Sequence, residues 1–306
     1  MTQQLTTQTE RYMTQKTKQP KDPALICVYG RSGSGKTTDC GYSFPNALFV
    51  AARGALTSIT TTCGYDPAQV AAKDIADATK KIEQFNRQGS KYDAVVVDDF
   101  SWLAEQTVLK WGKKLSGYDV WRKVNEETLA FRESARHARS HIILNCWYKG
   151  PQTKHDGSYV RGGPDLPSKL PEQLPSMCDI VLQVGHDPMR KPWGGTYKCA
   201  FDSTHVMKDR FGTCYQLHPC PMNLGEILRA SGYSISRLKE LDWQEAVVEK
   251  YSTILADAPN LFGKMNELYA QLLPKAGAKA AAWTIRDAID RMSIRKALTT
   301  TSTQYV

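Results

Sequence analysis

Five short β-branched or apolar runs punctuate the first two thirds of the chain, at 24–29, 47–52, 93–98, 141–146 and 179–184. Runs this short and this continuously apolar read as strands buried on both faces. Between them the apolar residues recur at helical spacing. Val70, Ala71, Ile75, Ala78, Ile82 and Phe85 predict a helix over 67–87 with Gly89 as its stop, and 101–115 and 119–138 read as two more. Strand and helix in alternation predict an α/β fold with a mainly parallel sheet covered on both faces. The pattern then changes: 188–195 reads as a turn, and 196–201 and 213–217 as antiparallel edge strands flanking a polar segment at 208–212. From 223 onward the pattern is helical, over 224–230, 236–256, 259–273 and 278–297. The organisation expected is a flexible polar segment over 1–22, a core over 23–232, a helical C-terminal region over 233–298 and a flexible tail over 299–306. The pattern leaves open whether the C-terminal helices form a small domain or a cap on the sheet.

Composition narrows the class. With 306 residues, 41% of them hydrophobic and 23% charged, the chain resembles a soluble globular protein and not a fibrous or disordered one. No apolar run approaches the roughly 20 residues of a membrane-spanning helix, and residues 1–21 lack the apolar stretch of a secretion signal. A cytoplasmic protein without a membrane partner is the expectation. The eight cysteines, at 27, 40, 63, 146, 178, 199, 214 and 220, form no Cys-x-x-Cys pair. They read as reduced, mostly buried thiols, with no zinc site or disulfide framework suggested. The histidines show no metal spacing. Forty Lys and Arg against 31 Asp and Glu give a formal charge of +9, which favours polyanionic partners without naming one.

The chemistry concentrates after the first strand. Gly30-Arg31-Ser32-Gly33-Ser34-Gly35-Lys36-Thr37, followed by Thr38, matches G-x-x-x-x-G-K-[ST] between a strand and a helix. Its glycines let successive N–H groups face phosphate oxygens, and the helix opening at Lys36 adds its positive end. Lys36 is expected to reach the β- and γ-phosphates of ATP, and the Thr37 hydroxyl to ligate Mg2+. The run Tyr92-Asp93-Ala94-Val95-Val96-Val97-Asp98-Asp99 supplies an apolar strand ending in acid. Asp98 is the expected magnesium-side carboxylate. Asp99 either polarises the attacking water or caps the helix at Ser101, and both readings stay open.

On these elements the sequence resembles the RecA-like P-loop ATPases, and most closely the phage-encoded nucleotide-binding proteins that include single-strand annealing ATPases. The resemblance covers about residues 23–232 and extends to two further runs, 161–171 (Arg-Gly-Gly-Pro-Asp-Leu-Pro-Ser-Lys-Leu-Pro) and Lys208-Asp209-Arg210-Phe211-Gly212. It implies a 141–146 strand lying between the two nucleotide-binding strands, ATP at subunit interfaces, and homo-oligomeric rings or filaments. It further implies a finger supplied by Arg210, with Lys208 beside it, to a neighbouring subunit, and recombination or replication proteins as further partners. A phage origin would place the protein in the host cytoplasm. Two departures matter. Relatives place Glu-Gly just after the second strand, as a water-activating base, where this chain has Arg53-Gly54, and Arg cannot accept a proton at neutral pH. Relatives also carry a His soon after the fourth strand, where this chain has Trp147; Asn145 remains able to sense the γ-phosphate. Nucleotide binding is expected to be intact and hydrolysis slow, with Asp99 as the remaining base.

The segment 148–176 reads as a long loop rich in Gly and Pro, carrying Lys149, Lys154, Arg161 and Lys169 interleaved with Trp147, Tyr148 and Tyr159. Cations for phosphates and rings for bases suit single-stranded DNA. Arg190, Lys191 and Trp193 extend the same expectation. Lys275, Lys279, Arg286, Arg291, Arg295 and Lys296 read as the solvated basic face of an amphipathic helix. Two functions of different class remain: an oligomeric ATPase acting on single-stranded DNA in recombination or annealing, and a nucleotide-gated scaffold with little turnover. A metabolite kinase is disfavoured by the lack of a lid motif, and a GTPase by the lack of Asn-Lys-x-Asp.

Overall fold

A continuous run of apolar, β-branched residues can only be buried if both of its faces are covered, and this governs the centre of the molecule. The structure is a computed structural model, and it describes residues 22–52, 54–89, 91–186, 195–199, 204–216, 220–236 and 245–304. Its parallel strands are β1 (Leu25–Gly30), β2 (Ala47–Ala51), β3 (Ala68–Val70), β4 (Ala94–Asp98), β5 (His141–Lys149) and β9 (Ile180–His186). The order across the sheet is β9-β1-β5-β4-β2-β3, so β5 lies between the two strands that carry the motifs, as the resemblance implied. Short antiparallel strands finish the β9 side. β10 (Gly195–Lys198) and β11 (Lys208–Asp209) share the outer edge of β9, and β12 (Cys220–Pro221) pairs with β10.

Successive residues alternate between two cores. Ile26, Val28, Phe49, Val96, Ile143 and Leu182 face one, covered by α1 (Lys36–Ser43), α2 (Thr57–Cys63) and α8 (Leu224–Ala230). Cys27, Tyr29, Val50, Val97, Ile142 and Leu144 face the other, covered by α3 (Ile75–Arg87), α4 (Phe100–Gly112), α5 (Tyr118–Arg136) and α6 (Leu170–Met177). The α/β fold class, with its antiparallel edge and helical C-terminal region, is the one the pattern predicts.

Several elements differ from expectation. Residues 68–70 form strand β3 and not the first turn of the 67–87 helix, because a reciprocal cap holds the helix start at Ile75. Asp74 Oδ1 accepts from the Asp77 N–H at 2.8 Å, while Asp77 Oδ2 accepts from the Lys73 N–H at 3.1 Å. The expected edge strand at 213–217 is a helical turn, α7 (Thr213–Gln216). Asp209 Oδ1 accepts from the N–H groups of Phe211 and Gly212, and Gly212 takes φ of 76°, so the chain turns before it can extend. The segment 148–176 is ordered: it holds a hairpin of β6 (Gln152–Thr153) and β7 (Tyr159–Val160), strand β8 (Gly163–Pro164) against the end of β5, and α6. The two long C-terminal helices expected at 259–273 and 278–297 are one, α10 (Leu261–Gln304), which passes through Pro274 and continues into the tail. The predicted turn at 188–194, the strand end at 200–201 and part of the 236–256 helix lie outside the described residues, as do residues 1–21.

α9 (Glu245–Ala256) and α10 share a small core of their own around Val248, Leu255, Leu268, Leu272 and Ile285. α10 also docks on the sheet layer. Trp283 stacks on Tyr42 of α1 with ring centroids 4.0 Å apart, and Arg286 reaches Asp39 Oδ1 at 3.4 Å and Asp290 Oδ2 at 3.5 Å. Arg291 pairs with Glu226 and Glu249. Arg286 and Arg291 are therefore buried ion-pair residues and not part of a solvated basic face. The helical region is both a mini-core and a cap.

Candidate functional site

The loop after β1 has the shape its glycines allow. Gly33 and Gly35 take φ of 73° and 90°, backbone that side chains disfavour, and a Cβ on Gly30 would come within 2.8 Å of Val184 Cβ. Gly35 then precedes α1, whose first N–H groups open on a cavity of about 450 Å³ lined by Ser32, Gly33, Ser34, Gly35, Lys36, Thr37, Thr38, Asp98, Asp99 and Trp147. Lys36 lies folded over the loop, its Nζ donating to the carbonyls of Gly30 at 2.9 Å and Arg31 at 3.1 Å. Burial lowers its pKa, against the pull of Asp99 and Asp98. The Arg31 guanidinium lies outside, 6.0 Å from the Tyr148 ring centre.

β4 runs parallel to β2 and β5 and delivers its acids to the same end of the sheet. The Thr37 hydroxyl donates to Asp98 Oδ2 at 2.8 Å, across 61 residues of sequence, and Asn145 Nδ2 donates to Asp98 Oδ1 at 3.1 Å. Burial raises the pKa of Asp98, opposed by these two hydrogen bonds and by Lys36. Asp99 Oδ1 accepts from the Ser101 N–H at 2.8 Å, so it caps α4. Burial and then the charge of Asp98 push its carboxyl up to about 7. The cap is real, and Asp99 also lines the cavity. The expected base position, Arg53, lies outside the described residues.

The residues present fit a nucleotide and its metal. Ser34 Oγ is buried inside the loop with no hydrogen-bond partner among the described residues, and the buried Asp98, with the half-buried Asp99 next to it, takes a hydroxyl and an amide but no arginine among those residues. Thr37 and Asp98 would hold Mg2+, and the loop N–H groups with Lys36 would hold the phosphates.

A second cavity, about 630 Å³, opens further along β5. Lys149, Tyr159 and Arg161 line it together with Leu109, Trp121 and Glu172. Lys149 faces Asp165 at 3.6 Å. Lys154 stands in the turn of the β6–β7 hairpin and Lys169 at the start of α6, so neither joins the lining. Arg190, Lys191 and Trp193 lie outside the described residues.

Lys208 and Arg210 lie at the other end of the sheet. β11 pairs with the start of β9, Asp209 opposite Ile180, and Ile180 in turn sits beside Ile26. At about 3.3 Å per residue this is roughly 13 Å below Gly30 along the strand direction. Lys208 Nζ donates to the Cys178 carbonyl at 2.7 Å, and the exposed Arg210 pairs with Asp179 at 2.6 Å. The Asp39 network has no counterpart in the sequence pattern, because Tyr197, Leu224 and Arg286 are 158, 185 and 247 residues from Asp39 and carry no local signal.

Residues 22–211, more than half of the chain, match the family described as AAA domain. The chain belongs to that family of AAA-type P-loop ATPases. No curated protein matches it. Among the described residues no helix is long and apolar enough to cross a membrane.

Proposed function

We propose that the protein is an oligomeric, Mg2+-dependent ATPase that acts on single-stranded DNA in phage-type recombination or strand annealing. The observation that carries the nucleotide reading is the Thr37–Asp98 hydrogen bond under a glycine loop, which brings the start of α1 and the end of β4 together across 61 residues as the two halves of a metal-phosphate site. Bound Mg2+ would screen the phosphate charge. The chain's own groups do the rest: Lys36 leaves its carbonyl partners for phosphate oxygens, Asn145 holds the Asp98 carboxylate in place, and Asp99 accepts the proton of the attacking water. A base with a pKa near 7 is half ionised at neutral pH, which suits proton acceptance. Support for DNA comes from Lys149, Arg161 and the ring of Tyr159 around one cavity on the phosphate-loop end, although Glu105, Asp165 and Glu172 share that lining and Lys149 pairs with Asp165. Lys208 and Arg210 are too far from the chain's own loop to serve it, so they would act on a neighbouring subunit.

A second reading, a nucleotide-gated scaffold with little turnover, draws support from Asp99 itself, whose Oδ1 is already engaged as a helix cap. ATP turnover with and without single-stranded DNA separates the two. DNA-stimulated turnover that Arg210→Ala abolishes, and that mixing with Lys36→Ala subunits partly restores, is expected. Turnover at the buffer rate in both conditions, with intact Mg-ATP binding, would favour the scaffold.

A further inference from the structure

The sheet edge beyond β9 gathers four metal-binding side chains that the nucleotide site does not use. Cys199 follows β10, Asp209 ends β11 and Cys214 lies on α7, and these three come together at the sheet edge, while Cys220, which opens β12, interacts with the two thiols. The three cysteines are free and buried, 3%, 0% and 0% exposed. The three thiols interact with one another. The sulfurs of Cys199 and Cys214 and a carboxylate oxygen of Asp209 all lie within 4.8 Å of one another.

A tetrahedral zinc ion with Zn–S bonds of ~2.3 Å and Zn–O bonds of ~2.0–2.2 Å holds its donors ~3.5–3.8 Å apart, so a small contraction suffices for Cys199, Asp209 and Cys214, and the Cys220 thiol would move in as the fourth donor. Burial as small apolar residues would account for the sulfurs alone. It does not account for a carboxylate turned towards two of them. That carboxylate is already aimed: Oδ1 accepts from the N–H groups of Phe211 and Gly212, both at 3.0 Å, as metal-ligating carboxylates are commonly held from behind.

We propose that Cys199, Cys214, Cys220 and Asp209 bind one zinc ion in a closed structural site that staples the antiparallel edge of the sheet. Binding is a proton exchange: three thiols release their protons to solvent, three Zn–S bonds and one Zn–O bond form, and no electron is transferred. The site stands apart from the phosphate loop and holds whether or not the chain hydrolyses ATP. It would fix β11, and with it Lys208 and Arg210 on either side of Asp209.

The test uses the full chain, purified under reducing conditions and stripped of metal, then titrated with zinc sulfate or cobalt(II) chloride. Expected are about one zinc per chain by elemental analysis, a sulfur-to-cobalt charge-transfer band with the intense visible bands of a tetrahedral ion, and a melting temperature raised by zinc. Cys214→Ser should lower the affinity at least tenfold, while Cys178→Ser, at a buried free cysteine elsewhere, should not. Wild-type protein that retains no zinc and gives no thiolate–cobalt spectrum would overturn the proposal, and that measurement needs no variant to fold. Unchanged stoichiometry and affinity in a folded Cys214→Ser chain, or a disulfide between two of the three cysteines in freshly isolated protein, would overturn it as well.

Discussion

Two buried carboxylates, Asp39 on helix α1 and Asp98 against it, are neutralised differently. Asp39 receives the Tyr197 hydroxyl at 2.5 Å, the Leu224 N–H at 3.2 Å and the Arg286 guanidinium at 3.4 Å. Among the described residues Asp98 receives a hydroxyl and an amide and no guanidinium, and the nearby Lys36 donates to loop carbonyls. Burial pushes both carboxyls upward, but a permanent cation, Arg286, pulls Asp39 back down. The first has its countercharge built in, while the second is arranged for a countercharge that comes and goes. A buried acid lacking an arginine is thus a better pointer to an exchangeable cation than burial alone.

Breaking the built-in half has the largest expected effect. Arg286→Met takes the guanidinium from the buried Asp39 and Asp290, leaving them with neutral donors, and should cost about 3–5 kcal/mol, read as a lowered urea midpoint. A loss below about 1 kcal/mol would show that Arg286 is not the countercharge. On the exchangeable side, Lys36→Ala should reduce Mg-ATP turnover about a hundredfold or more, since one charge-stabilising donor in a closed site is worth about 3 kcal/mol. Unchanged affinity and turnover in that variant would remove the phosphate role from the loop.

The next effect is pH dependence. Asp99 has a folded pKa raised to about 7 from 3.8, so between those values the folded chain keeps a proton that the unfolded chain releases. Its contribution to stability is present below that window and is lost as pH rises through 7. Metal binding favours the ionised acid, so Mg-ATP affinity should fall by up to about tenfold per pH unit below 7. In Asp99→Asn both slopes should flatten, which calorimetry at pH 6, 7 and 8 and urea titrations at pH 5 and 8 would show; an unaltered pair of slopes would mean that Asp99 does not titrate there. The smallest effect concerns the exposed cations. Neutralising Lys149, Lys154 and Arg161 together should flatten the salt dependence of single-stranded DNA binding by about 0.7 for each phosphate that no longer meets a cation, and an identical slope would place the DNA elsewhere.

The phosphate loop was legible because all of its parts are adjacent: the glycines, Lys36 and Thr37 occupy one strand-to-helix junction. Asp98 was legible as the end of an apolar strand. Strand β3 was hidden because its three residues, Ala68–Val70, share the helical spacing of α3, and only the Asp74–Asp77 cap breaks it. Arg286 and Arg291 were misread because an arginine stripe on an amphipathic helix looks the same whether water or carboxylates cover it. The Cys199, Cys214 and Cys220 cluster left no spacing signal, since its members meet only after the sheet edge has formed. The arginine pairs and the cysteine cluster are long-range contacts that local periodicity does not encode.

The position of β1 has a consequence for how the molecule comes into being. Its hydrogen-bonded neighbours are β5 and β9, so Ile26 pairs with Ile143 and Ile180. The nucleotide loop hangs from a strand whose two flanks leave the ribosome more than a hundred residues later. Loop closure over such distances must be completed before the contacts are gained, and parallel pairing of this kind forms slowly. During synthesis the glycine loop is therefore made well before both flanks of its strand and acquires its shape only after them. A nascent chain ending before Ile180 lacks a flank of β1, and nucleotide recognition should appear late and abruptly as the chain lengthens.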